Sequence, residues 1–123
     1  MAAYYRSVLL AFILLKALSA AAPIRVEGFA FNGVSNRFLT PNGDHRNDNV
    51  AFNFSNPFDA SGSVKIYDMR GHLLTTIPIT AGTGATSVVW DGHVNGTVVP
   101  MGVYIYVLSV QDVTASGALV VVR

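Results

Sequence analysis

Phe38-Leu-Thr-Pro-Asn-Gly-Asp-His-Arg-Asn-Asp48, carried on through Asn49 into Val50-Ala-Phe-Asn-Phe-Ser55, is the passage on which the fold turns. Its second half alternates. Val50, Phe52 and Phe54 stand on one side and Ala51, Asn53 and Ser55 on the other, the period-two pattern of a half-buried strand. Its first half is a dense polar loop. Pro41 presets one backbone angle, Gly43 permits a positive φ, and Asn42, Asp44, Asn47 and Asp48 can bond their own backbone. Such a composition predicts a loop of specified shape at a strand end.

The same alternation continues on both sides. Ile24 and Val26 alternate with Arg25 and Glu27, and Gly28 then shifts the phase so that Phe29 and Phe31 become the inward pair. That predicts a bulge or bend at Gly28. Asn56-Pro-Phe-Asp59 ends the Val50 strand. Val64 and Ile66 alternate with Lys65 and Tyr67, and Arg70-Gly71 makes a tight turn into Leu73, Leu74 and Ile77. Ala81-Gly-Thr-Gly-Ala85 is a loop before Ser87-Val-Val-Trp90, and Asp91-Gly92 is a turn signal. Val98-Val-Pro-Met-Gly102 leads into Val103-Tyr-Ile-Tyr-Val-Leu-Ser-Val110, apolar on both faces and so predicted to be a central strand. A hairpin around Asp112 to Ser116 returns the chain through Ala118-Leu-Val-Val-Val122. Short strands with turns at close intervals predict an all-β fold, a β-sandwich of about seven antiparallel strands.

Composition bounds the rest. A chain of 123 residues allows one domain with a real core. At 51% apolar and 12% charged residues it is too apolar for disorder. The absence of cysteine excludes disulfides, thiolate metal sites, cysteine nucleophiles and a lipidated cysteine. Residues 1–21 have the order of a secretory signal peptide: Arg6, then the apolar Ser7–Leu15, then the small residues Ser19 and Ala21 before a cut at Ala22. Lys16 keeps the apolar run shorter than a membrane span, and an uncleaved anchor is the alternative. Residues 22–35 form an N-terminal strand and lead-in, and 36–123 the domain.

Loss of Arg6 and Lys16 with the signal leaves six basic residues against seven acids, a net charge of −1. No basic stripe remains for nucleic acid. His45, His72 and His93 are far apart, each in a turn, and make a weak metal triad. No Gly-x-Ser-x-Gly elbow, His-Glu-x-x-His, phosphate loop or dinucleotide motif occurs, so an enzyme is not expected, nor a small-molecule substrate.

An ordered set of blocks carries a family resemblance. The first is Thr40-Pro-Asn-Gly-Asp44 with Asn47-Asp48. The second is Phe54 to Pro57 and Val64-Lys-Ile-Tyr-Asp-Met-Arg-Gly71. The third is Trp90-Asp-Gly92, Gly96, Val99-Pro100, Gly102-Val-Tyr104 and Tyr106, and the last is Gly117 to Arg123. From residue 36 to 123 the chain resembles the immunoglobulin-like C-terminal domains of the gliding-motility-associated, type B sorting kind, found on substrates of the type IX secretion system. It is also similar to the related domain of flagellar hook-capping proteins. His45 stands where such domains usually have a second glycine.

The resemblance implies an immunoglobulin-like sandwich in which Pro41, Gly43, Gly71, Trp90, Asp91, Gly92, Pro100, Gly102 and Tyr104 are the family's structural positions. It implies a non-catalytic exported module for secretion-linked sorting or cell-surface attachment, with secretion machinery or a cell-surface component as partner. Localisation would be the outer-membrane surface or the exterior, and the periplasm if no second export step follows. The alternative is a structural or adhesive module that binds a surface glycan or bridges another assembly, with Tyr67, Tyr106 and Phe58 as an aromatic patch. Since little separates the signal from the domain, a stand-alone module, a severed C-terminal domain or an adaptor is expected.

One cofactor is conceivable. Asn42, Asp44, Asn47 and Asp48 could ligate Ca²⁺ with backbone carbonyls and a further carboxylate from Asp59 or Asp91. Arg46 stands among them, and the competing expectation is a self-bonded loop with no cofactor.

Overall fold

The computed structural model describes residues 28–122, and the signal-peptide reading lies outside them. Ten strands follow in order: β1 Ala30–Val34, β2 Phe38–Leu39, β3 Val50–Ser55, β4 Gly62–Tyr67, β5 Leu73–Ile79, β6 Ser87–Trp90, β7 His93–Val94, β8 Thr97–Val98, β9 Gly102–Val110 and β10 Val113–Val121. No helix occurs among the described residues. Seven strands are long; β2, β7 and β8 are two residues each, too short for periodicity to reveal.

The strands form a three-stranded sheet β1-β3-β6, a five-stranded sheet β2-β10-β9-β4-β5, and the small hairpin β7-β8. All pairs are antiparallel except β2 with β10, which run parallel. That exception follows from the chain's path after β1. Ser35 completes the ladder with β3, its N–H donating to the Ala51 carbonyl and its hydroxyl accepting from the Ala51 N–H, both at 2.9 Å. The chain then crosses to the other sheet, where Val120 donates to the Arg37 carbonyl and Val122 to that of Leu39.

Alternation places the core. Val50, Phe52, Phe54 and Trp90 of the smaller sheet meet Leu39, Val64, Ile66, Tyr104, Tyr106, Leu108, Val110, Leu119 and Val121 of the larger one in a single buried cluster. Phe52 touches Tyr106 edge-on at 5.1 Å between centroids, and Trp90 meets Tyr104 at 5.9 Å, so aromatic pairs tie sheet to sheet. β9 is the middle strand of its sheet, as its apolar run predicts, yet only one of its faces is fully buried. Val103, Ile105 and Val107 line the outer face instead.

A bulge lies between Phe31 and Gly33, where Gly33 takes a φ of 99° and Asn32 is the extra residue, while the phase change expected at Gly28 involves residues 24–27, outside those described. The last hairpin turns at Gln111-Asp112 rather than across Asp112 to Ser116, because Gln111 adopts a left-handed φ of 53° and lets Val113 pair with Val110 at once. Gly117 sits opposite Tyr106, and a Cβ there would collide with the tyrosine ring.

Candidate functional site

The register sorts the molecule into two ends. Val50 lies opposite Trp90, while Val121 lies opposite both Leu39 and Gly102. Loop 40–49, the Trp90–Gly92 turn, the β7-β8 hairpin, Pro100 and the Asp68–Gly71 turn therefore share one end, called here the Gly102 end. The nine structural positions that the resemblance marks, Pro41, Gly43, Gly71, Trp90, Asp91, Gly92, Pro100, Gly102 and Tyr104, fall there, while the motif residues Phe54 to Pro57 run to the other end. The opposite, Val110 end holds the loops 56–61 and 80–86 and the turn at Gln111.

At the Gly102 end the polar loop is knotted by its own side chains. Asp48 Oδ1 accepts the N–H groups of Gly43 at 2.9 Å and Asn42 at 3.2 Å, and Oδ2 accepts that of His45 at 2.7 Å. Asn42 Oδ1 accepts the Asp44 N–H and Asp44 Oδ1 the Arg46 N–H, two successive side-chain turns. Thr40 closes the base, its N–H donating to Asn47 and its hydroxyl to the Arg46 carbonyl. His45 and Asn47, like Gly43, take positive φ, the backbone strain that this bonding holds in place. Desolvation raises the Asp48 carboxyl, but the three N–H donors and the charge of His45 outweigh it and hold it below the ordinary carboxylate range.

Beside the loop, Gly92 takes a φ of 77°, and a Cβ on it would press on Leu39 at 3.1 Å and Pro41 at 3.2 Å. Glycine thus lets the Trp90 turn pack under Pro41. Trp90 donates its indole N–H to the His93 carbonyl at 3.1 Å, and Asp91 Oδ1 accepts the His93 N–H at 3.0 Å. The Tyr104 hydroxyl donates to the Pro100 carbonyl, fixing the crossing from β8 to β9. Burial raises the Tyr104 phenol, and the nearby Asp68 charge adds to the rise, so the hydroxyl stays a donor.

Asp68 organises the β4-β5 turn as Asp48 does its loop. Its Oδ1 accepts the N–H groups of His72 at 3.0 Å and Arg70 at 2.9 Å, and its Oδ2 faces His72 Nδ1 at 3.3 Å. The His72 N–H first of all, then that of Arg70 and the His72 charge, overcome desolvation and lower the Asp68 carboxyl. Between this turn and the β7-β8 hairpin lies an open depression of about 370 Å³, lined by Asp68, Leu74, Val94, Val98, Val99 and Tyr104, among others.

The outer face of the five-stranded sheet is also divided. Near the Gly102 end the cross-strand rows read Phe38-Val120-Val103 and Ala118-Ile105-Tyr67-Leu73. Phe38, Leu73 and Val103 are 59%, 51% and 39% exposed. Toward the Val110 end the rows become Ser116-Val107-Lys65-Thr76 and Thr114-Ser109-Ser63-Pro78. One sheet face is half apolar and half polar.

Among the sequence-derived candidates, Asn42, Asp44, Asn47 and Asp48 do share a loop, but both carboxylates accept backbone N–H groups of that loop. Asp59 instead accepts the Gly84 N–H at the Val110 end, and Asp91 is bonded to His93. No group of three or more His, Cys, Asp or Glu placed to hold a metal ion occurs among the described residues. The aromatic patch is not assembled: Tyr106 is buried under Phe31 and Phe52, Tyr67 lies on the outer face, and Phe58 is exposed at the Val110 end. Two features escaped the reading of the sequence. Asn95-Gly96, both at positive φ, is the two-residue turn of the β7-β8 hairpin, and this dipeptide between His93-Val94 and Thr97-Val98 was the available signal. Asp68 as a lining residue carried no signal at all.

Residues 32–121 match the CHU_C type IX secretion signal domain. No curated protein matches the chain. Among solved structures, dimeric latent PorU from Porphyromonas gingivalis is similar at 22% identity and a TM-score of 0.45, over 61% of this chain and 8% of that one.

Proposed function

The chain belongs to the type IX secretion signal domain family, and from that premise we propose that residues 36–123 are a non-catalytic sorting module that secretion machinery recognises in its folded form. The carrying observation is the gathering of the motif positions at the Gly102 end, next to the apolar half of the outer sheet face. An unfolded chain would present these nine positions in separate segments, whereas the folded chain gathers them at one end. We read the two facing sheets as an immunoglobulin-like sandwich, with β2 crossing between them at the edge.

In this reading a signal peptide over residues 1–21 takes the chain through the inner membrane. The folded domain is then recognised for a second step to the outer-membrane surface or the exterior. The deciding experiment fuses Asn36–Arg123 behind a periplasmic reporter in a host with a type IX system. Surface delivery that depends on the system supports sorting. Retention in the periplasm sinks it.

The polar loop, in the same proposal, is a self-bonded cap rather than a calcium site. A cation at Asn42, Asp44, Asn47 and Asp48 would have to displace N–H groups that already converge on the carboxylates. Melting in calcium and in chelator is expected to give the same midpoint; a clear rise with calcium would reinstate the metal.

A further inference from the structure

The depression between the Asp68 turn and the β7-β8 hairpin joins apolar walls to one carboxylate. Leu74, Val94, Val98, Val99, Pro100 and Tyr104 give it hydrocarbon walls. Asp68 is the single charged residue in its lining. The carboxylate is fixed in place, because Oδ1 is tied to the N–H groups of Arg70 and His72. Its side chain remains 29% exposed, and its other oxygen has only the solvent-exposed ring of His72 beside it.

Such a site selects its guest by charge. An anion is repelled by Asp68. A wholly apolar guest would cover a carboxylate without offering it a partner, which is unfavourable. A guest with a hydrocarbon stem and a cationic head satisfies both parts at once, as lysine and arginine do at protein surfaces. We propose that this depression receives one lysine or arginine side chain of a partner protein, its stem against Val94, Val98 and Leu74 and its head at Asp68 Oδ2. The proposal rests on the sorting reading and specifies the chemistry of the partner at the Gly102 end.

The test uses the full chain labelled at its valine and leucine methyl groups. It is titrated with acetyl-Val-Arg-Val-amide and with the twin in which neutral citrulline replaces arginine. The arginine peptide is expected to move the Leu74, Val94 and Val98 methyls, and the citrulline peptide to bind about tenfold more weakly. Asp68→Asn keeps an oxygen for the Arg70 and His72 N–H groups and is expected to reduce arginine binding to the citrulline level. Equal responses to the two peptides, or no movement of these methyls at millimolar peptide, overturn the proposal. In the reporter fusion Asp68→Asn is expected to lower surface delivery. Normal delivery of that variant overturns the basic-side-chain partner and leaves sorting intact, whereas failure of the unmodified fusion defeats sorting whatever the methyls do.

Discussion

Both ends of this molecule hold their loops with side chains, yet they differ in how many large apolar side chains they leave uncovered. At the Val110 end Asn56 brackets Ala60 with two bonds, and Asp59 reaches the Gly84 N–H. At the Gly102 end Asp48, Asp68 and Asp91 do equivalent work. The exposed apolar residues divide differently. Phe58 alone lies at the Val110 end, while Phe38, Met69, Leu73, Met101 and Val103 lie in the other half, with Val89 on the smaller sheet opposite Ala51. Loop order is thus a requirement of the fold at either end, and the apolar exposure beside the family motif is the surface that the proposed function would assign to a partner.

The sharpest way to break this contrast is at Trp90. Trp90→Ala removes the aromatic contact with Tyr104 and the bond to His93, and should cost about 3–5 kcal/mol in denaturant unfolding. A smaller loss would mean that the Gly102 end is less rigid than its bonding indicates. Gly117→Val, nearer mid-sheet, drives a side chain into the Tyr106 ring and should cost about 1–3 kcal/mol; a neutral result would show that the ring can swing away. Tyr104→Phe leaves the Pro100 carbonyl without its donor and should cost about 1 kcal/mol by the same measurement.

Acid probes the two carboxylates. Asp48 and Asp68 have lowered native pKa values, so their contribution is complete above the ordinary aspartate range and is lost as pH falls through the native values. Unfolding followed against pH should show wild type losing stability on acidification more steeply than Asp48→Asn or Asp68→Asn. Parallel curves would show that the bonds add nothing beyond what an amide provides. The smallest effect belongs to the Val110 end: two extra serines inserted between Gly82 and Gly84 should change stability by less than about 0.6 kcal/mol and leave reporter delivery unaltered. Lost delivery would erase the distinction between the ends.

Much of this was legible because alternation survives in the long strands. Val50-Phe52-Phe54 and Val64-Ile66 point inward as their spacing predicts, since each faces the other sheet across one core. What periodicity cannot hold was not legible. β2 is too short to alternate, and its parallel pairing is set by a strand more than half the chain away. Tyr106 looked like surface chemistry, but its place on the middle strand and the absent Cβ of Gly117 put it in the core. The loop residues were visible as a group, and whether their oxygens face a cation or their own N–H groups depends on φ angles that composition leaves open. The depression at Asp68 joins residues from three separate passages, so only the fold could reveal it.

The position of β10 has a consequence in time. It lies between β2 and β9, so until Val113–Val121 is in place both neighbours present open edges. A chain released N-terminus first, from a ribosome or a translocation pore, delivers β2 and β9 before the strand that joins them. The larger sheet is therefore complete only when its last strand in the chain has arrived, and the pairing of β2 with the rest of the sheet waits for it. Under the sorting proposal, an address written in that arrangement would stay unreadable during transit and become readable only once residues up to Val122 have passed. The fold would in this way act as a clock, withholding recognition until delivery of the domain is finished.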